Sequence, residues 1–273
     1  MSKTNSFSEA NREFASFGGA CPFNCLHCYT FSNAFQKNNL QDEGESSIEN
    51  IINRLKKTQF SIIYVSGYKE NFVNPDDGLD LLEALFFEFK CHILFTTRNV
   101  FDSQHILRLS SLNKLMKEAS KNLFACVSIS AHHSYKKLEL NDIIPPPEMR
   151  IEFLKQLYEN DIVSFLTLRP ICPNQFIPTQ EYLEIIEKSY KFCAAVIASG
   201  IYVDDYVIER LKTFPEDCER KSKDWSCFGD IVINHIDVSK ELSEIEDYCN
   251  KKNILFFKES IPAINHFRVA LPR

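Results

Sequence analysis

FSIIYVSGYKENFVNPDDGLDLLEALFFEFKCHILFTT, residues 60–97, decides the fold. It opens on one β-branched, apolar run, FSIIYVSG (60–67), and closes on another, CHILFTT (91–97). Both runs are apolar at successive positions, as parallel strands covered on both faces are. A helical pattern near 76–89 lies between them, so the stretch reads as one right-handed βαβ unit. The unit repeats outward. EFASFGG (13–19), LFACVSIS (123–130), VSFLTLR (163–169) and IYVDDYVI (201–208) are further candidate strands, with candidate helices near 47–57, 103–119, 147–159 and 180–199. From the second strand on, strand starts fall at 60, 91, 123, 163 and 201, the spacing of repeated βα units. The expected fold class is α/β, a partial (β/α)6 TIM-type barrel with a C-terminal extension.

Three segments follow from this pattern. Residues 1–12 are polar, lack the apolar core of a secretory signal, and read as a disordered tail. Residues 13–209 form the barrel, and 210–273 an extension packing on it. In the extension, FPEDCERKSKDWSCFGD (214–230) reads as a charged inserted loop, and IVINHI (231–236) and NILFFKES (253–260) as strands seven and eight. In IIPPPEMRIEFLKQLYEN (143–160) the prolines set an extended entry, Pro147 suits a first helical turn, and Ile151, Leu154, Leu157 and Tyr158 form the expected apolar face.

No apolar run reaches eighteen residues, so no membrane span is expected. The formal net charge of −6 argues against broad nucleic-acid binding, although it leaves room for a local basic groove. Ten cysteines spread over 273 residues without an export signal point to a reducing, cytoplasmic setting with thiols free or metal-bound.

Three of those cysteines, Cys21, Cys25 and Cys28, crowd FGGACPFNCLHCYTF (17–31). If the first strand ends near Gly19, they lie on the loop after it, on the face where parallel barrels carry their active sites. Gly18 and Gly19 permit a sharp turn there. Three thiolates can hold three irons of a cubane cluster and leave the fourth open. The alternatives are free thiols, an electron-transfer cluster, and zinc. The electron-transfer cluster would call for a fourth cysteine nearby. Zinc favours four ligands and a C-x2-C pair, whereas here the spacing is C-x3-C-x2-C and His27 adjoins Cys28.

C-x3-C-x2-C after the first strand of such a barrel resembles the radical S-adenosylmethionine superfamily. The resemblance implies a 4Fe-4S cluster on Cys21, Cys25 and Cys28, with S-adenosylmethionine bound at the open iron. It implies cleavage to a 5′-deoxyadenosyl radical that abstracts hydrogen from an unactivated C–H bond, and an electron donor such as flavodoxin or ferredoxin. His27 takes the place of an aromatic whose backbone meets the adenine. Ser66 and Gly67 match the end of strand two, which commonly reads Gly-Gly-Glu and holds the methionyl amino group; Glu70 is the acidic residue within reach. Ser128 and Ser130 match the ribose side.

Within the superfamily, CPFNCLHCY (21–29), LFTTRNVF (94–101), VSISAHHS (127–134) and PPPEMRIEFLKQL (145–157) resemble spore photoproduct lyase-like proteins. There Arg98 matches a cation near the S-adenosylmethionine carboxylate, and Tyr29 a tyrosine near the radical site. The lyase's hydrogen-donor cysteine at the end of strand two is Gly67 here, which speaks against photoproduct repair. The lyase resemblance favours a nucleobase or nucleotide substrate, which is slightly preferred; the net charge and the missing donor point to a peptide or small metabolite. The reading from a different class is a non-catalytic, cysteine-rich Fe–S or zinc-binding module.

Other residues carry weaker readings. Arg169 would hold a carboxylate or phosphate, or pair with an acid at the strand end. Cys172 would donate a hydrogen atom, or be a buried core thiol. His132 and His133 would bind substrate or shuttle protons, or be solvated loop residues. Asp204 and Asp205 are expected to end strand six, with one facing inward. Cys218, Cys227 and Cys249 would hold a second cluster, or stay free.

Overall fold

The computed structural model describes residues 11–33, 35, 47–67, 69–225 and 231–270, with the backbone alone at 223–225, 231, 232, 269 and 270. Seven strands form one parallel sheet: β1 (Arg12–Ala15), β2 (Ile62–Val65), β3 (His92–Thr97), β4 (Leu123–Ser128), β5 (Val163–Ile171), β6 (Ala195–Gly200) and β10 (Leu255–Phe257). They lie in the order β1-β2-β3-β4-β5-β6-β10. Between them run α1 (Ile48–Leu55), α2 (Pro75–Phe89), α3 (Ser103–Glu118), α4 (Pro147–Glu159), α5 (Thr179–Ser189) and α7 (Ser239–Lys251). This is the expected mixed α/β, partial barrel architecture.

Because side chains alternate along a strand, the sheet has two apolar faces. Ile63, Val65, Ile93, Phe95, Val127, Leu166, Leu168 and Val196 pack in one core with the surrounding helices. Ile62, Tyr64, Leu94, Phe124, Phe165 and Ile197 line the inner face, where α8 (Ser260–Ala270) covers them with Ile261, Ala263 and Ile264. The Phe165 and Phe267 rings meet at 5.5 Å. The helix after the last strand therefore fills the lower part of the barrel.

Four expectations need correction. The sixth strand is Ala195–Gly200, inside the region read as helix, because α5 stops at Ser189. Half of the run read as strand six is helical: Asp204 accepts the Val207 N–H at 2.9 Å as the N-cap of α6 (Asp205–Leu211), so neither aspartate ends a barrel strand. Part of the segment read as an inserted loop is β8 (Arg220–Trp225). It pairs antiparallel with β9 (Ile231–Ile236), which also holds β7 (Tyr202–Val203); IVINHI thus belongs to a separate three-stranded sheet. On α4 the buried face is Arg150, Phe153, Leu154 and Leu157, while Tyr158 is exposed.

Gly78 on α2 shows how tight the outer core is. A Cβ there would lie 2.1 Å from Cδ1 of Phe72, and Phe72 is itself fully buried against Phe95 (5.1 Å) and Phe101 (5.5 Å). Gly78→Ala should therefore cost about 1–3 kcal/mol by overpacking. A denaturation midpoint equal to that of the wild type would show that the ring moves freely.

Candidate active site

The cysteine loop leaves β1 at Ala15 and runs to a 3-10 turn at Tyr29–Phe31. Gly19 has φ +84°, which only glycine adopts without strain. Lys69 donates to the Gly18 carbonyl and, at 2.9 Å, to that of Gly19. Successive turns follow: Asn24 N to Cys21 O (3.2 Å), Cys28 N to Cys25 O (3.2 Å) and Phe31 N to Cys28 O (3.1 Å). Other elements hold the loop from outside. Arg210 of α6 donates to the Asn24 side-chain oxygen at 2.6 Å and lies 3.9 Å from the Phe31 ring centroid. Leu26 N donates to Leu138 O (2.8 Å), and Asn141 Nδ2 to Pro22 O (2.8 Å).

Cys25 is buried with Phe23 and Ile144, and Cys21 and Cys28 pack against the same cluster, which contains no further cysteine. Burial pushes the Cys21 and Cys25 thiols up, and the neighbouring Cys28 thiol adds to this. Thiols held this way need a cation to ionise. Among the described residues, three cysteines pack together here without a fourth, which suits a cluster that offers each thiolate its own iron and leaves one iron open, whereas structural zinc takes four ligands.

Behind the loop lies a buried ionic network that the sequence did not suggest. Glu139 and Arg150 are both fully buried, and Arg150 Nη2 donates to Glu139 Oε2 at 2.5 Å. Arg150 Nη1 also reaches the Ser128 carbonyl (2.7 Å). Arg98 Nε donates to Glu139 Oε1 (3.1 Å), as does the Ser130 hydroxyl (2.6 Å). Burial opposes ionisation of Glu139, but Arg150 and Arg98 outweigh it and hold the carboxyl down to about 2. Glu70 accepts the Arg98 and Phe72 N–H groups (2.8 and 3.0 Å) and the Thr97 hydroxyl (3.1 Å). It therefore shapes the end of β3 through its backbone.

His27 joins this network. Its Nδ1 faces the Leu138 carbonyl (3.3 Å) and its Nε2 faces Arg98 Nη2 (3.2 Å). A carbonyl only accepts and a guanidinium only donates, so the ring is neutral with its proton on Nδ1. Burial, aided by the Arg98 charge, lowers its pKa from 6.5 to about 3. Between those values the unfolded chain binds a proton that the folded chain refuses, so stability rises with pH. Across pH 5.5 to 6.5 this contributes about 1 kcal/mol. Comparing urea midpoints of the wild type and His27→Phe over that range should show the slope shrink in the variant; equal slopes would place His27 in water.

The remaining expected residues sort by position. Ser128 pairs in register with Thr167 across β4 and β5. Towards the ends of the strands the inner face turns from apolar to polar, with Tyr64 hydrogen-bonded to Thr96 (2.8 Å), then Thr167 and Arg169. Arg169 donates to Ser260 Oγ (3.3 Å) and the Lys258 carbonyl (3.2 Å) at the start of α8. Its Nε is buried without a hydrogen-bond partner among the described residues, and Thr167 hydrogen-bonds the Cys126 side chain beside it, which marks this band as a place for a polar ligand. Tyr29 donates to the Gly67 carbonyl (3.1 Å) and packs 6.1 Å from Tyr202; burial raises its pKa, and Cys28 and Arg169 lie within its electrostatic reach.

Ser66, at φ 64°, accepts from Asn71 N (3.1 Å) and Nδ2 (3.0 Å), so its oxygen serves the turn. Cys172 does not join the site. It is fully buried in the helix-side core, with its N–H donated to the Tyr182 hydroxyl of α5 (3.0 Å), and burial pushes its thiol up. Cys249 is buried in the same core, Cys218 packs at its edge, and neither belongs to a three-ligand group among the described residues; Cys227 lies outside them. The interaction of Thr167, Glu139 and Arg150 with the site was missed. Arg150 did carry a signal, since it falls at helical spacing within the stripe Phe153, Leu154 and Leu157.

No helix among the described residues is long and apolar enough to cross a membrane. No family model and no curated protein sequence matches the chain. Among solved structures it is similar to Streptococcus suis SuiB bound to S-adenosylmethionine, with 15% identity, TM-score 0.57, and coverage of 91% of this chain and 50% of that one. It is similar also to SuiB bound to its precursor peptide SuiA, with 14% identity, TM-score 0.56, and coverage of 93% and 50%. The chain thus spans half the length of SuiB, and at this identity what the two share is the fold.

Proposed function

We propose that the chain is a radical S-adenosylmethionine enzyme. The observation that carries this reading is the seating of three thiols on the loop after β1, with no fourth cysteine in their cluster, beside a polar band in which Arg169 Nε is buried without a hydrogen-bond partner among the described residues. The fold shared with SuiB, whose structure holds S-adenosylmethionine, supports it. When bound, a 4Fe-4S cluster and S-adenosylmethionine supply a 5′-deoxyadenosyl radical by one-electron cleavage of the sulfonium. The protein's own part is ligation, orientation and exclusion of water. Cys21, Cys25 and Cys28 ligate the cluster. Thr167 Oγ1 and Arg169 Nε face the ligand from β5, and Ser128 faces it from β4. Phe124, Phe165 and α8 seal the inner face below, so that a reactive ligand meets neither water nor stray hydrogen donors. Tyr29 closes the loop side. An electron donor of the flavodoxin or ferredoxin type completes the system.

As substrate, we place a peptide ahead of a nucleobase, which is a shift from the sequence expectation. The SuiB comparison includes a peptide complex, and the net charge is −6. Moreover, a Cβ on Gly67 would lie 2.5 Å from Cδ1 of Phe14, whose ring stacks on Tyr64, so a donor cysteine does not fit at the end of β2. Spore photoproduct lyase chemistry is correspondingly disfavoured.

Anaerobic reconstitution followed by reductant and S-adenosylmethionine should release 5′-deoxyadenosine; a cluster-loaded protein that never does so refutes the reading. Within it, Arg98 keeps Nη1 without a hydrogen-bond partner among the described residues, while its other nitrogens hold Glu139, His27 and the Arg169 carbonyl. An anion is the natural partner for that nitrogen. Arg98→Ala should lower S-adenosylmethionine affinity about ten- to a hundredfold with iron content unchanged, the cost of one charge-assisted contact. Equal affinity by calorimetry would leave Arg98 a positioning residue for Glu139 and His27 only.

A further inference from the structure

On the helix side of the sheet, away from the cysteine loop, a second group of ligand atoms converges. The chain after β4 carries His132 and His133 across to α5. There His132 Nδ1 lies 3.0 Å from His133 Nε2 and 3.1 Å from Glu184 Oε2, and His133 Nε2 lies 2.9 Å from the same carboxylate oxygen. We propose that these three residues form a binding site for a divalent first-row transition metal ion, independent of the cysteine loop.

The geometry carries the proposal. Three atoms stand at the corners of a nearly equilateral triangle. Two neutral imidazoles offer at most two protons, and His132 offers only one at Nδ1, so hydrogen bonding cannot satisfy all three edges well. One cation satisfies all three corners at once. With metal–ligand bonds of about 2.1 Å, mutually adjacent ligands of a six-coordinate ion lie about 3.0 Å apart. Two imidazoles and one carboxylate on one face, with the remaining positions open, are a donor set that iron, cobalt, nickel and zinc accept.

The surroundings support the same reading. His132 is buried, and its backbone N–H and that of Ser134 both donate to Glu181 (3.1 and 2.8 Å), so α5 already fixes the loop. On the far side of the ring, Glu148 Oε1 lies 3.0 Å from His132 Nε2. A carboxylate that takes the Nε2 proton is the usual support for an imidazole that ligates through its other nitrogen. Lys188 Nζ lies 2.8 Å from the same Nε2 and competes for it. In the metal-free protein Lys188 donates to Nε2 and the ring proton sits on Nδ1. Metal binding moves that proton to Nε2, where Glu148 accepts it, and Lys188 turns away. His133 is 68% exposed in its side chain, so the ion has an entry path. A bound ion would pin the chain leaving β4, which carries Ser130 towards the proposed cofactor site.

Co2+ is the probe. The full chain is titrated with Co2+ by calorimetry and absorption, in the wild type, His133→Ala, Glu184→Gln and Glu148→Gln. Thiolate-bound Co2+ shows sulfur-to-metal charge-transfer absorption, which separates this site from the cysteine loop. The same titration in a Cys21→Ala, Cys25→Ala, Cys28→Ala chain removes the cysteine loop as a competing site. The expected result is one Co2+ per chain without that absorption. Affinity should drop about tenfold in Glu148→Gln and by more in His133→Ala and Glu184→Gln, since loss of an outer partner alone costs about 10–100-fold. His133 and Glu184 are partly exposed, so their variants report binding and not folding. Affinity unchanged in both, or binding confined to thiolates, or a Kd above about 1 mM, overturns the site. None of these outcomes depends on S-adenosylmethionine chemistry.

Discussion

Cys25→Ala leaves the reconstituted protein with iron near background and cuts 5′-deoxyadenosine release to the uncatalysed level. Cys25 is the most buried of the three loop thiols and shares its cluster with Phe23 and Ile144. Such clusters take cysteine thiolates, and besides Cys21 and Cys28, which are already ligands, no cysteine packs there among the described residues, so no neighbour takes its place. The effect on turnover is a complete loss, in contrast to the ten- to hundredfold shift expected at Arg98. Cys21→Ala and Cys28→Ala should behave alike, while Cys172→Ala, which alters the helix-side core, keeps its iron. Iron and sulfide analysis beside a product assay checks this. Full iron content in Cys25→Ala would mean that the loop thiols are not the ligands.

Glu139→Gln should destabilise the fold by about 3–5 kcal/mol, because it leaves the buried Arg150 guanidinium without its counter-charge. Arg98, whose side chain is 22% exposed, recovers solvent more easily and adds less. The pH dependence has a definite sign. The Glu139 carboxyl sits at about 2 in the fold against an ordinary 4.5. Its contribution is therefore present above pH 4.5 and is lost as the pH falls through about 2. Chemical denaturation at neutral pH measures the first effect, and acid titration of wild type against variant measures the second. A change below about 1 kcal/mol, the scale of a surface ion pair, would mean that water reaches the pair.

The sequence made the central strands legible because β2 to β5 are covered on both faces, so their apolar runs leave no polar alternation to misread. It failed at Ala195–Gly200, where the helix-favouring alanines of AAVIASG follow shortly after α5 and only tertiary packing against β5 makes the segment a strand. It failed again at Asp204, because an aspartate before a short apolar run serves equally as a strand end or a helix cap. IVINHI has strand propensity whether it joins the barrel or pairs with Arg220–Trp225, and propensity does not choose a partner. At the site, the cysteine spacing was fully visible. Glu139 was not, since its partners Arg98 and Arg150 lie 41 and 11 residues away and no local pattern links them. Nor was the triangle at His132, which needs Glu184 to arrive from α5.

The proposed cluster, with an open iron that takes S-adenosylmethionine, is tested most directly by electron paramagnetic resonance of the reduced, reconstituted full chain with and without that ligand. A ligand that chelates the open iron changes the cluster's electronic environment, so a shifted spectrum is expected on addition, with a weaker response at limiting ligand in Arg98→Ala. A spectrum of the reduced 4Fe-4S cluster that does not change at saturating S-adenosylmethionine would contradict it.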